Sequence, residues 1–515
     1  VVLLGSVLLY PVSSESPLLI PMSALRNTII AAVSNLSTAY NLYVISIVQV
    51  LIKNQYCADT PCKAEADIAA TSCLVGAICG QLTFGYVGDC LGRSRGLQLT
   101  MALSIFGALI SAFAVPVTSS PGSVFYFLAL TRFVLGIGVG GVYPLSATIA
   151  SESAGSQKSR GRTASIVFSM QGVANLLVPV IALALVQLPE GNPTDPSQLG
   201  LSWRLCLGIG GLPGILLAPF KATETGKKTA PVLTSHHSSE ANSMMAPMVA
   251  GTTTGTAPAS TNASPLASGQ ITLTQALAMR SYWSKIVGCA GGWFLFDITF
   301  YGNSLFQAPV LEDIFNATKG SHPIAGDFSE NRALQMMFIA GIALPGYYAS
   351  VAFMDHLGRR TIQLQGFFFM TLLFGALGIW FDAMQQGGLS PLLLVLYSLT
   401  FFFSNFGPNS TTFILPSETF PPEVRTTLNG FSAAMGKAGA SIGSAAFDPL
   451  KEAIGLPNTM LVCAGVSLLG FVVTYFFVED RRKLGMEGEI APPGPLLLDD
   501  GAAEGQRRQP SSSAA

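Results

Sequence analysis

Asp297 stands in the middle of the apolar and aromatic run Gly291–Gln307, GGWFLFDITFYGNSLFQ. A charge near the centre of a membrane-spanning segment costs about 3 kcal/mol on insertion scales, so such a residue faces the protein interior and marks a pathway. On a helix, Trp293, Asp297 and Tyr301 fall at i, i+4 and i+8 and share one face. An indole NH, a carboxyl and a phenol on one face can hydrogen-bond a polar solute; in an ordinary protein core the same pattern would be an aromatic stripe around a satisfied Asp. Lys437, in GFSAAMGKAGASIG, repeats the argument with the opposite charge. A third deep charge, Arg132, reads as lying near the cytoplasmic end of its helix or as supporting its neighbours by hydrogen bonds.

The rest of the chain says what kind of element holds these groups. Half of the 515 residues are hydrophobic and only 11% are charged, and the mean hydropathy is +0.50. That balance belongs to an all-α, multi-pass membrane protein with the lipid bilayer as its solvent. The 53 glycines suit close helix packing in lipid. A net charge of -1, with no basic stripe interleaved with aromatics, argues against a nucleic-acid partner. The histidines, His236, His237, His322 and His356, fall in expected loops or helix ends, and neither a nucleophile–base pair nor a metal-ligand spacing is present. The expectation is therefore no enzyme, no metal and no cofactor.

About twelve apolar runs of spanning length recur, near 28–52, 68–88, 97–117, 124–150, 163–188 and 203–219, then 284–308, 332–354, 361–382, 391–415, 428–448 and 458–478. They define an N-terminal six-helix half over 28–219 and a C-terminal half over 283–478. Between them, 220–282 is rich in Ser, Thr, Ala, Pro and Gly and reads as a disordered cytoplasmic loop. The apolar start within 1–27 reads as a truncated leader or incomplete first segment, and 479–515 as a cytoplasmic tail. Arg93, Arg95, Lys158, Arg160, Arg162, Lys227, Lys228, Arg359, Arg360, Arg425 and the basic run 481–483 share one side, cytoplasmic by the positive-inside rule. The opposite side holds Cys57, Cys62 and the sequon at Asn316, which suit either a disulfide and a glycan or free thiols and an unused sequon; a sequon at Asn262 falls on the cytoplasmic side.

The halves are related by an internal repeat. DCLGRSR from Asp89 and DHLGRRT from Asp355 are offset by 266 residues, and so are Glu152 and Glu418. Parallel repeats of this kind place a substrate site between halves near the membrane midplane. The same offset pairs Tyr143 with Asn409 and Gln171 with Lys437, polar with polar, all within apolar runs. The acids and arginines of the repeated loops, Asp89, Arg93, Glu152, Asp355, Arg359, Glu418 and Arg425, are the candidates for gating.

LGIGVGGVYPLSATIASESA, WFLFDITFYGNSLF and FFFSNFGPNSTTFILPSETFPPEVRTTLNGFSAAMGKAGA resemble the signatures of the phosphate:proton symporters of the major facilitator superfamily, across essentially the whole span of the runs. The resemblance implies the major facilitator fold, alternating access and inorganic phosphate as substrate. It assigns Tyr143, Gln171, Trp293, Asp297, Tyr301 and Asn409 to the phosphate shell, with Lys437 as the nearby cation. The chemistry agrees. Phenol, indole, amide and ammonium donate to phosphate oxygens, and Asp297 accepts from a phosphate hydroxyl, weakening a site that cations alone would make too tight. When no anion is bound, Lys437 and Asp297 are expected to pair with each other.

The departures bear on energy coupling. The family reads GGDYP where this chain has GGVYP, and DAYDLF where it has TAYNLY, so Val142, Thr38 and Asn41 replace three acids. Asp297 is left as the proton-coupling candidate, and weakened coupling is expected; Asn41 and Thr38 also offer neutral oxygens to sodium. FKATETGKK, after the sixth run, is a worn version of the family's gating loop. A porter for an organic phosphate or a sugar, and a phosphate sensor that does not transport, are the alternatives. The plasma membrane is favoured over an organelle membrane.

Overall fold

The computed structural model describes residues 22–57, 62–153, 160–187, 199–222, 273–305, 307–315, 325–421 and 424–479. The first half comprises α1 (Met22–Tyr43), α2 (Ile45–Tyr56), α3 (Lys63–Leu91), α4 (Arg93–Ser111), α5 (Val124–Glu152), α6 (Arg160–Val186), α7 (Leu199–Ile209) and α8 (Leu212–Ala222). The second comprises α9 (Leu273–Ala278), α10 (Arg280–Ile286), α11 (Gly292–Leu305), α12 (Gln307–Phe315), α13 (Ala325–Leu357), α14 (Arg359–Gln386), α15 (Ser390–Asn405), α16 (Pro408–Thr419) and α17 (Arg425–Phe477).

Among the described residues, nine helical stretches are long and apolar enough to cross a membrane. The longest, α17, has 53 residues and turns at Gly455, whose φ of 82° breaks it into two crossings. The run near 97–117 is helical as α4, and that near 284–308 as α10 and α11 joined by a π-turn over Val287–Gly291. Each of the twelve apolar runs therefore contains helix. In lipid this follows from the backbone, since every buried NH and C=O must be satisfied within the segment.

The boundaries moved where turn chemistry outweighed hydropathy. The third run stops at Ser111 rather than continuing to 117, before Pro116 and the Ser–Ser–Pro turn that leads into a 3-10 turn at Pro121–Ser123. The sixth divides at Gly210–Gly211 into α7 and α8. Helix α8 extends to Ala222, and α9 and the start of α10 lie inside the stretch expected to lack regular structure over 220–282. The rest of that stretch, 223–272, lies outside the described residues, as do Lys158, the sequons at Asn262 and Asn316, His236, His237, His322 and the basic run 481–483. Of the two readings left open for Cys57 and Cys62, the disulfide is the one formed.

The repeat is visible in the backbone and in the charges. Gly92 and Gly358, one offset apart, have φ of 93° and 80°, a left-handed turn that glycine adopts without strain and that lets antiparallel helices follow directly. Arg93 then lies 3.6 Å from Asp89 and 3.4 Å from Glu152. In the second half Arg359 lies 3.2 Å from Asp355 and 2.8 Å from Glu418. At this end the halves also touch: Asp89 Oδ2 accepts hydrogen bonds from the Thr427 backbone NH at 2.9 Å and its hydroxyl at 2.7 Å, and Arg425 lies 3.7 Å from Glu152. Helices α3 and α17 meet there through Gly85 and Gly430, where an added Cβ would press on the facing Cα. All seven gating candidates thus belong to two related charge clusters at one end of the bundle.

Candidate substrate site between the two halves

Helix α11 presents Trp293, Asp297 and Tyr301 on the face that the helical spacing requires, and all three are buried. Lys437 reaches them from α17 because that helix packs through Gly436, Gly439 and Gly443, where any side chain would run into Trp293, the Phe294 carbonyl and the Ile298 carbonyl. The Lys437 ammonium donates to Asp297 Oδ2 at 2.9 Å and to the Tyr301 hydroxyl at 2.9 Å. It also lies 4.1 Å from the centre of the Tyr301 ring and 5.2 Å from that of Tyr143, so two aromatic faces share its charge. The ion pair is 2% exposed on each side. Such a pair costs desolvation and is held by its hydrogen bonds.

The first half closes the cluster. Tyr143, on α5 just before Pro144, is 2% exposed, and its hydroxyl has no hydrogen-bond partner. Gln171, on α6, donates to the Tyr43 hydroxyl at 2.6 Å, and its Oε1 is also unpartnered. The Tyr43 ring stacks on Tyr301 across the interface, with centroids 6.1 Å apart and planes 8° from parallel. In the second half Asn409, in the first turn of α16 after the break at Gly407, donates to the Tyr347 hydroxyl at 2.9 Å and to Asn405 Oδ1 at 2.7 Å. Phe168 and Phe413 stack at 4.5 Å and line the seam, touching Tyr347 and Tyr143 respectively. The structure therefore buries all seven sequence-predicted site residues, contributed by α5, α6, α11, α16 and α17.

Sequence reasoning missed Tyr43, Tyr347 and Asn405. Tyr43 closes the TAYNLY segment, where the absent acids and the neutral oxygens of Thr38 and Asn41 are the conspicuous features. Tyr347 lies one repeat offset from Gln81, a buried polar residue in an apolar run, so the arithmetic that found Asn409 would also have found it.

The profile of the Major Facilitator Superfamily matches residues 29–444. A protein of Arabidopsis thaliana named "Probable inorganic phosphate transporter 1-6" is 34% identical over 492 residues, 90% of this chain and 93% of the relative. The chain belongs to the major facilitator superfamily, in the family of these inorganic phosphate transporters. "Low affinity inorganic phosphate transporter 4" of Petunia hybrida is likewise 34% identical, over 88% of this chain and 89% of its own length. Among solved structures, the partially occluded, inward-open xylose transporter XylE from E. coli aligns with a TM-score of 0.62 at 17% identity, over 91% of this chain and 99% of that one. The transporter FucP in its outward conformation aligns with a TM-score of 0.56 at 13% identity, over 87% of this chain and 98% of that one. At such identities the likeness speaks for the fold alone. The chain is thus an integral, multi-pass membrane protein of the major facilitator fold.

The three neutral replacements occupy different surroundings. Val142 is fully buried in an apolar cluster with Phe84, Leu97, Met101 and Leu145, inside the first half. The Asn41 amide donates to the Gly210 and Ser37 carbonyls, at 3.0 Å each. Thr38 is fully buried with its hydroxyl unpartnered. Val142→Asp is consequently expected to destabilise the protein by about 3 kcal/mol, because a carboxylate would replace a methyl-lined contact. Thermal unfolding of purified Val142→Asp beside the isosteric Val142→Thr checks this: a midpoint no lower for Asp than for Thr would show that the position tolerates charge.

Arg132 does not lie near the cytoplasmic end of its helix. It sits twenty residues before Glu152, in the opposite part of α5, fully buried. The second reading, support of its neighbours, is met by one bond, from Nη2 to the Asn41 carbonyl at 2.5 Å.

Proposed function

We propose that this protein transports inorganic phosphate across a membrane by alternating access. The observation that carries the reading is the buried Lys437–Asp297–Tyr301 cluster, set between two repeat-related halves, with the unpartnered Tyr143 hydroxyl and Gln171 Oε1 beside it. The names of the relatives support the substrate class.

A tetrahedral oxyanion takes donors on several sides. Lys437 is the charged donor, the Tyr143 and Tyr301 hydroxyls and the Trp293 indole are neutral ones, and the Gln171 and Asn409 amides supply the rest. Asp297 accepts from a protonated phosphate oxygen. Binding exchanges the Lys437–Asp297 contact for contacts with phosphate, so affinity is the difference between two charge-assisted interactions and stays moderate enough for release. Because both halves contribute, rocking one against the other separates part of the shell. At the basic-loop end the Arg425–Glu152 pair and the hydrogen bonds from Thr427 to Asp89 cross between the halves, the Asp89–Arg93–Glu152 and Asp355–Arg359–Glu418 clusters brace each half, and release of the crossing contacts opens the cytoplasmic side. The plasma membrane is the proposed location.

Coupling to protons is proposed to be weak. Asp297 is the acid of the described shell, and it is already bonded to Lys437. Sodium finds a less favourable setting at Asn41, since the Arg132 guanidinium bonds the carbonyl of that same residue and repels a second cation.

The test is uptake of radiolabelled phosphate into proteoliposomes with sulfate, glycerol phosphate and glucose as competitors. Saturable uptake blocked by unlabelled phosphate and indifferent to glucose is expected. Inhibition by glucose with none by phosphate would identify a sugar porter, and saturable binding without uptake a sensor.

A further inference from the structure

Tyr43 is held by contacts from both halves. It closes α1 inside the span Leu25–Tyr56 and is 3% exposed. Its hydroxyl accepts a hydrogen bond from Gln171 Nε2 at 2.6 Å, whereas Gln171 Oε1 has no hydrogen-bond partner among the described residues. Its ring is fixed separately from that bond. It stacks on Tyr301, whose hydroxyl accepts from Lys437, and meets Phe300 edge-on with centroids 6.4 Å apart and planes at 77°. The helices beneath are braced as well, since the Asn35 amide on α1 donates to the Val167 carbonyl on α6 at 3.0 Å, one turn before Gln171. From the second half, Tyr301 and Asp297 lie within reach of the Tyr43 phenol, and Tyr347 faces the Gln171 amide while accepting from Asn409.

A carboxamide has a donor end and an acceptor end. With one N–H committed to Tyr43, the Gln171 amide offers a bound anion its acceptor, Oε1, besides its second N–H. Asp297 is the other acceptor of the shell. Monobasic phosphate carries hydroxyl donors that satisfy such acceptors. Sulfate has the same shape but no hydroxyl, so each acceptor would face a bare oxygen. A site built to take a hydroxyl rejects the analogue that lacks it, because a buried acceptor is left unpaired.

We propose that Tyr43 is a positioning residue for anion selection: its hydroxyl holds the Gln171 amide so that Oε1 meets a phosphate hydroxyl, which favours phosphate over sulfate. The inference rests on the transport reading and names a residue that sets the selectivity of that site.

The test measures the KM for phosphate and the inhibition constant of sulfate in proteoliposomes. Tyr43→Phe keeps the ring on Tyr301 and removes only the hydroxyl. A released amide turns Nε2 toward the anion, so the ratio of the sulfate constant to the phosphate KM is expected to fall about 3- to 10-fold, the effect of one neutral hydrogen bond, with the maximal rate little changed. Adding Tyr43→Phe to Gln171→Leu should leave the ratio of Gln171→Leu alone, because Tyr43 acts through that amide. For a variant that folds without transporting, saturable rises of the thermal midpoint with phosphate and with sulfate give the same ratio. An unchanged ratio in Tyr43→Phe, including an equal loss of affinity for both anions, would overturn the inference and leave phosphate transport standing. So would a further fall when Tyr43→Phe is added to Gln171→Leu. A parent protein that neither takes up nor binds phosphate would overturn the transport reading and the inference with it.

Discussion

Lys437→Ala is expected to reduce phosphate uptake at sub-saturating phosphate by roughly 10- to 100-fold, the equivalent of losing one charge-assisted interaction of about 1.5–3 kcal/mol. The same change leaves Asp297 buried without its cation, and breaking such a pair from one side costs about 3–5 kcal/mol of stability. The two effects separate in the double variant Asp297→Asn with Lys437→Met, which removes both charges. It should recover most of the thermal midpoint and none of the uptake. If Lys437→Ala transports phosphate as the parent does at every pH measured, Lys437 is a packing feature of α17 and the site has been misassigned.

The second large effect concerns energy coupling. A symporter moving one proton with each substrate concentrates it up to about tenfold for each pH unit of gradient, since 1.4 kcal/mol corresponds to a factor of ten. This chain is expected to fall well short, with internal phosphate staying near the external concentration under an inward proton gradient. The reason is local. Thr38, Asn41 and Val142 carry no titrating proton, and the Asp297 carboxylate is bonded to Lys437 before any proton arrives. Uphill accumulation approaching tenfold for each pH unit, unaffected by sodium, would show that the missing acids are dispensable.

Much of the site was legible because membrane burial makes polar residues conspicuous. Asp297 and Lys437 stand out in apolar runs, and the repeat offset alone ties Tyr143 to Asn409 and Gln171 to Lys437. The tyrosines were harder. Phenols are at home in apolar runs, so neither Tyr43 nor Tyr347 announces a role until the Gln171 and Asn409 amides are seen bonded to them. Val142 was legible as a missing acid but not by its surroundings: it directly precedes Tyr143, yet a helix turns that single step through about 100°, from the interface to the apolar cluster of the first half. Helix ends were read least well, because hydropathy continues past Ser111 and through Gly210–Gly211 where Pro, Ser and Gly end or divide the helix. Of the two readings of Arg132, the one near the cytoplasmic end fails for a related reason: a lone Arg in an apolar run suggests a terminus, and only packing shows that its guanidinium stays inside, bonded to the Asn41 carbonyl.

The claim that this buried cluster selects phosphate and carries it across is tested most directly by counterflow. Proteoliposomes are loaded with unlabelled phosphate, sulfate or buffer alone, and entry of labelled phosphate is followed with no ion gradient imposed. Phosphate inside should accelerate entry of the label, sulfate should not, and Lys437→Ala should abolish the acceleration. Entry at one rate whatever the internal anion, or acceleration that survives intact in Lys437→Ala, would contradict the assignment of the Lys437–Asp297 cluster as the transport site.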